Sequence, residues 1–276
     1  MNSEITPDTL GHERFGYGTT PVILLHELFG SIRTWDPIRP FLDIHRYTFV
    51  FADLRGYGRS AHLKGRHDSE EIAADVNHLA DALGFRRFHL VGHSMSGLAV
   101  QHAVTADAER ETPRIERAIA VTPVPTDGLA VDADTAAFFR STAHDDEALR
   151  GALSGLTGDR YGEAFFRYKR DLRHGSVQPE VIGSYLEHLV FPRGFAAHAN
   201  RIRAPTPLLV VAGAHDYPGM RLDDLRRSMS HGFPGVVWWR LAESGHYPMD
   251  EMPVALAHGI HCFLAGEWVD SAPDAS

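Results

Sequence analysis

Three side chains have the types and the order that acyl transfer needs. Ser94 lies in Gly92-His93-Ser94-Met95-Ser96-Gly97, Asp216 closes Gly213-Ala214-His215-Asp216, and His246 follows Gly245. A serine hydroxyl is a weak nucleophile at neutral pH. It needs a base within hydrogen-bond reach, and the base needs an acid to hold its tautomer. The order is serine, acid, histidine, and acid and base are 246 − 216 = 30 residues apart, room for one helix and one strand. Each residue has a plainer alternative. Asp216 could be a turn former, with Asp127 or Asp132 taking its place, and His246 could be a structural histidine in a Gly-His-Tyr-Pro turn. With 18 histidines in the chain, position rather than residue type must carry the case.

The surroundings of Ser94 favour a nucleophile. Phe88 to Val91 suits a buried strand, and the Ala-bearing run after Gly97 suits a helix. A strand-to-helix turn of this sharpness holds its serine in strained backbone angles with the hydroxyl exposed, and admits only small residues on either side. The usual pattern is G-x-S-x-G; here Ser96, backed by Gly97, occupies the last position and is small enough to be tolerated. The helix start offers free N–H groups to negative charge. Attack on a carbonyl makes an oxyanion, for which Met95 N–H and Leu28 N–H, in the loop after the first long strand, are the expected donors. His26 is expected to brace that loop.

These residues need a scaffold that brings strand ends to one edge. Pro21–Leu25, Tyr47–Ala52, Phe88–Val91, Ile115–Val121, Leu208–Ala212 and Val236–Leu241 are apolar runs that read as buried strands, after a short strand within residues 9–18. Between them, Thr34–Leu42 reads as a short helix. Ile72, Val76, Leu79 and Leu83 mark one face of a second helix, capped near Ser69 and ended by Gly84. Leu222, Leu225 and Met229 mark another, and Leu256, Ile260, Phe263 and Leu264 the closing one. The alternation predicts an α/β fold, a mostly parallel central sheet with helices on both faces. It lapses over a long, aromatic-bearing segment that reads as a helical cap insertion over the C-terminal strand ends. The expected domains are residues 1–124 and 200–276 as core and 125–199 as cap. Ser271 to Ser276 read as a loose tail.

Composition narrows the function classes. Among 276 residues, 36 are acidic and 27 basic, a net charge of −9 that argues against nucleic acid. Cys262 is the one cysteine, in an apolar pattern that suggests core, so no internal disulfide or thiolate metal cage is expected. His258 and His261 beside it could suggest a metal, but no carboxylate partner is placed, and none is expected. Met1 to Pro7 has no basic start or apolar stretch, and no run approaches membrane-spanning length. The expected address is the cytoplasm, with no membrane partner.

Taken together, His26 to Gly30, Asp53-Leu54-Arg55-Gly56-Tyr57-Gly58-Arg59-Ser60, Gly92 to Gly97, Gly213 to Asp216 and Gly245-His246 with Pro248 resemble the α/β-hydrolase fold superfamily, in its capped serine esterase or lactonase form. The resemblance implies an oxyanion loop, a structural turn, the nucleophile elbow, the acid and the base, in that order, and no cofactor. The oxyanion loop usually begins His-Gly, and here Glu27 stands in the glycine's place. A solvent-facing glutamate is the expectation, and a second carboxylate at the pocket rim, disfavouring anionic substrates, the sharper alternative. Asp53 and Arg55 are expected to brace loops. Glu27, His93, Phe138 and Phe139 are the expected substrate contacts. The expected reaction is cleavage of a small-molecule carboxylic ester or lactone through an acyl-enzyme on Ser94, and a homodimer is the one assembly the chain could form. Carbon–carbon bond hydrolysis, thioester, amide or perhydrolase chemistry on the same residues, or a hydrolase-fold ligand receptor, remain open. Haloalkane dehalogenation is disfavoured, because it needs an aspartate where Ser94 stands.

Overall fold

Strands made of continuous apolar residues must be covered on both faces, and here they line up in one seven-stranded sheet of order β1-β3-β2-β4-β5-β6-β7. The computed structural model describes residues 9–191 and 195–268. The tail from Ser271 to Ser276 and the stretch from Met1 to Pro7 lie outside the described residues. The strands are β1 His12–Phe15, β2 Thr20–Leu25, β3 Tyr47–Ala52, β4 Phe88–His93, β5 Ile115–Val121, β6 Leu208–Gly213 and β7 Val236–Leu241. Among the described strands only β1 runs antiparallel, against β3; the other strand pairings are parallel. β2 lies between β3 and β4, so the chain reverses its direction of travel across the sheet there. The loops leaving β2 and β4 therefore diverge around a crevice, the usual place for a site in such sheets.

The helices are α1 Ser69–Ala82, α2 Met95–Ala108, α3 Ala133–Ser141, α4 Asp146–Thr157, α5 Glu163–His174, α6 Pro179–Tyr185, α7 Phe195–Ile202, α8 Leu222–Met229, α9 Pro248–Glu251 and α10 Pro253–Ala265. α1 is capped beside Ser69, by Asp68: its carboxylate accepts from Glu71 N–H at 2.8 Å. The helix expected over Thr34–Leu42 is instead a 3₁₀ segment, Ile32–Phe41. Pro37 and Pro40 lie inside it, and without N–H groups they cannot carry an α-helical ladder. Cys262 is half-exposed rather than core, with Sγ 3.5 Å from His258 Nε2.

Between β5 and β6 the chain runs through α3 to α7. Residue 199, the expected return to the core, falls inside α7. That helix packs against α2, with the Phe195 ring stacked on His102 at 4.6 Å. No helix among the described residues is long and apolar enough to cross a membrane.

Candidate active site

The turn from β4 into α2 is as tight as its small residues allow. Ser94 has φ 58° and ψ −117°, a conformation rare for any residue with a side chain. Its N–H donates to Val121 O at 2.9 Å, which anchors it to the neighbouring strand. A Cβ on Gly92 would stand 2.3 Å from the Ser96 carbonyl oxygen, so only glycine fits there. Ser96 is more than tolerated. It is buried, and its hydroxyl donates to His26 O at 2.5 Å, stitching the elbow to the end of β2. The departure from glycine was the one signal of this bond in the sequence.

Three groups from distant parts of the chain meet in line above the elbow. His246 Nε2 is 2.8 Å from Ser94 Oγ, and His246 Nδ1 is 3.0 Å from each carboxylate oxygen of Asp216. The carboxylate can only accept, so Nδ1 carries the proton and Nε2 presents its lone pair to the Ser94 hydroxyl. Asp216 is buried, which raises its carboxyl above the ordinary value, while His246 and the Tyr217 N–H oppose the rise. That N–H donates to Asp216 Oδ1 at 2.6 Å. The His246 backbone is fixed at both ends. Its N–H donates to Leu156 O of α4 at 2.9 Å, and its carbonyl accepts from Thr122 Oγ1 at 2.9 Å and His93 Nε2 at 2.7 Å. Glu251 grips the flanking residues, accepting from Gly245 N–H at 2.7 Å, Tyr247 N–H at 2.8 Å and the Arg160 guanidinium.

The loop after β2 is held peptide by peptide. His26 Nε2 accepts from Leu54 N–H at 3.0 Å, so Nδ1 carries the proton and donates to Glu27 O at 2.7 Å. A trans peptide points its N–H opposite to its C=O, so this bond also sets the direction of Leu28 N–H. Tyr57 OH donates to Leu28 O at 2.7 Å and fixes the next peptide. Asp53 accepts from Ile32 N–H and Arg59 N–H, each at 2.9 Å, and Arg55 holds Asp75 by two bonds of 2.7 Å. Both side chains brace loops.

A small pocket of about 40 Å³ opens on Ser94 and His246. Leu28, Val124, Phe139, Leu186, Met220 and Tyr247 are among its apolar walls, and Glu27 lines it too. Three expectations need correction. Glu27 does not face solvent: it is 1% exposed, and its carboxylate accepts from Thr34 Oγ1 at 2.7 Å and from Lys169 Nζ at 3.4 Å. Burial alone would push the Glu27 carboxyl up; Lys169 foremost holds it well below the ordinary value. His93 does not line the pocket. Successive strand residues face opposite ways, and its ring lies buried behind His246, ring centres 5.1 Å apart. Phe138 is 40% exposed and outside the pocket, whereas Phe139 is 6% exposed and inside it. Neighbours on a helix point about 100° apart, so one of the pair must face out.

Asp127 and Asp132, the fallback acids, are engaged elsewhere, with Ala196 N–H and as the cap of α3. Among the described residues no group of three or more His, Cys, Asp or Glu is placed to hold a metal ion. The contacts of Lys169, Glu251, Thr122 and Tyr57 are not legible in the sequence, because nothing local in a charged helix or a loop reveals which distant group it will reach.

A serine on a strained turn, with imidazole and carboxylate in line at the C-terminal edge of a parallel sheet, defines the class of α/β-hydrolases. Residues 20–253 match the alpha/beta hydrolase fold family, and the chain belongs to it. A fluoroacetate dehalogenase from Burkholderia sp is 41% identical over 81 residues, 28% of this chain and 26% of that protein. A non-heme chloroperoxidase from Streptomyces lividans is 36% identical over 115 residues, 42% of this chain and 40% of that protein. The chain thus spans well under two thirds of the length of these curated relatives. The enol-lactonase from Burkholderia xenovorans LB400 superposes with a TM-score of 0.73 at 23% identity, over 93% of this chain and 96% of that one, a likeness of fold.

Proposed function

We propose that the chain is a serine hydrolase that cleaves a small, uncharged carboxylic ester or lactone through an acyl-enzyme on Ser94. The observation that carries this reading is the continuous line from Ser94 Oγ through His246 to Asp216, at 2.8 and 3.0 Å, opening on an apolar pocket. Ser94 Oγ attacks the acyl carbon while His246 Nε2 takes its proton. The imidazolium is steadied by Asp216, and the oxyanion by Leu28 N–H and Met95 N–H. Collapse expels the alcohol, which receives the proton from His246. Water then enters, loses a proton to His246 and releases the acid from Ser94. The apolar walls suit a small to medium acyl group.

The dehalogenase likeness does not carry its chemistry here. Displacement at a saturated carbon would leave an ether on Ser94, which water does not open, whereas an acyl ester is readily cleaved. The chloroperoxidase likeness favours one variation on the same acyl-enzyme: hydrogen peroxide in place of water would release a peracid.

Ser94→Ala should lower kcat/KM for p-nitrophenyl butyrate by about 10⁴-fold or more. A fluorophosphonate probe should label the unaltered chain at Ser94 and leave the variant unlabelled. Retention of most of the activity in the variant would overturn the assignment.

A further inference from the structure

The chain has two lysines, Lys64 and Lys169, and otherwise carries its positive charge on arginine. Lys169 leaves α5 in the cap and is 0% exposed. Its Nζ donates to Glu27 Oε1 at 3.4 Å and Asp250 Oδ2 at 3.2 Å, and stands 4.0 Å from the centre of the Tyr247 ring. Each contact adjoins a residue of the proposed reaction. Glu27 shares a peptide with Leu28, Tyr247 follows His246, and Asp250 lies in α9, directly after that turn. A compact ammonium with three donors can serve several groups from a narrow channel, which a planar guanidinium does less readily.

Resting on the hydrolase reading above, we propose that Lys169 is a positioning residue of the reaction: the cap's buried ammonium holds the oxyanion loop and the His246 loop in register with Ser94. The Glu27 carboxylate fills the inside of the loop between β2 and the 3₁₀ segment. A Cβ on Gly30 would stand 2.6 Å from each of its oxygens. On its far side His93 Nδ1 is 3.5 Å away, and His93 has its proton on Nε2, so it offers none there. Lys169 supplies the positive charge that keeps the carboxylate folded in. Without it, the carboxylate takes up a proton or swings toward water, and either change moves the peptide whose N–H is to meet the oxyanion. A donor misplaced at the oxyanion weakens binding of the transition state far more than binding of the ester, so kcat falls and KM holds.

Steady-state hydrolysis of p-nitrophenyl acetate by the full chain tests this, on variants whose melting curves show them folded. Lys169→Ala should lower kcat by about tenfold or more and leave KM within about threefold. Added n-propylammonium, which replaces the missing atoms, should restore kcat along a saturating curve, a response that a purely structural lysine would not give. Should Lys169→Ala fail to fold, Asp250→Asn keeps the shape and removes one of the two negative charges that hold the ammonium, and a loss of kcat at constant KM is expected there too. Unchanged kcat in whichever variant folds, or a loss confined to KM, overturns the proposal. The hydrolase reading fails separately, if the unaltered chain neither turns over the ester nor reacts with fluorophosphonate at Ser94.

Discussion

The two ring nitrogens of His93 meet different demands. Nε2 must donate to the His246 carbonyl, and Nδ1 faces a carboxylate with no proton to offer it. Burial lowers the His93 pKa from 6.5 to about 4, with Glu27 opposing the drop, so the ring is neutral in the folded chain at neutral pH. His89 is lowered to about 4 by burial as well. The unfolded chain takes up these protons near pH 6.5, before the folded one does. The stabilisation is therefore complete above pH 6.5 and is lost as pH falls toward 4, by about 3 kcal/mol at most for His93. His93→Gln keeps a donor near the His246 carbonyl and removes the titration. Urea midpoints at about pH 7 and about pH 4.5 should fall further for the unaltered chain than for this variant. An equal fall would show that His93 contributes nothing to the acid response. The position of His93 beside Ser94 was visible in the sequence; its inward direction follows from strand alternation, and its partner does not.

Among elements, the joint between the end of β2 and the start of α2 decides the geometry. The sequence shows both elements and the small residues between them, but not that the Ser96 hydroxyl ties one to the other. Ser96→Ala leaves the buried His26 carbonyl without that donor, a loss of about 1–3 kcal/mol in unfolding free energy. It should also slow turnover, because His26 positions the Leu28 peptide. Urea unfolding and p-nitrophenyl ester rates check both, and a variant equal to the parent in both would remove Ser96 from the account. The 3₁₀ segment Ile32–Phe41 teaches a related lesson. Its apolar spacing resembles a helix, yet Pro37 and Pro40 deny it the hydrogen bonds of one.

For the whole molecule, the segment from α3 to α6 and the strand ends of the sheet line a common pocket. Phe139 of α3 lines that pocket, and Phe138 faces away from it. Removing the Phe139 ring opens space for a longer acyl chain. Phe139→Ala should raise the ratio of kcat/KM for p-nitrophenyl hexanoate over acetate by about tenfold, the scale of a few methylene contacts. Phe138→Ala should leave that ratio within about twofold. If the two variants behave alike, the pocket does not receive the acyl chain. The helices between β5 and β6 also reach the reacting groups directly, through Leu156 O of α4 to the His246 N–H and through Lys169 of α5 to Glu27 and Asp250.

Periodicity, turn residues and the order of strand ends are local properties of a chain. They were enough to give the parallel sheet, the elbow at Ser94 and the places of Asp216 and His246, because a strand's apolar run and a turn's small residues are dictated by neighbours in sequence. Contacts between side chains from separate elements are not written locally. Whether Glu27 meets water or Lys169, which of Phe138 and Phe139 turns inward, and what His93 and Ser96 hold were decided only when the helices between β5 and β6 packed against the sheet. Burial then fixed which polar groups had to find partners.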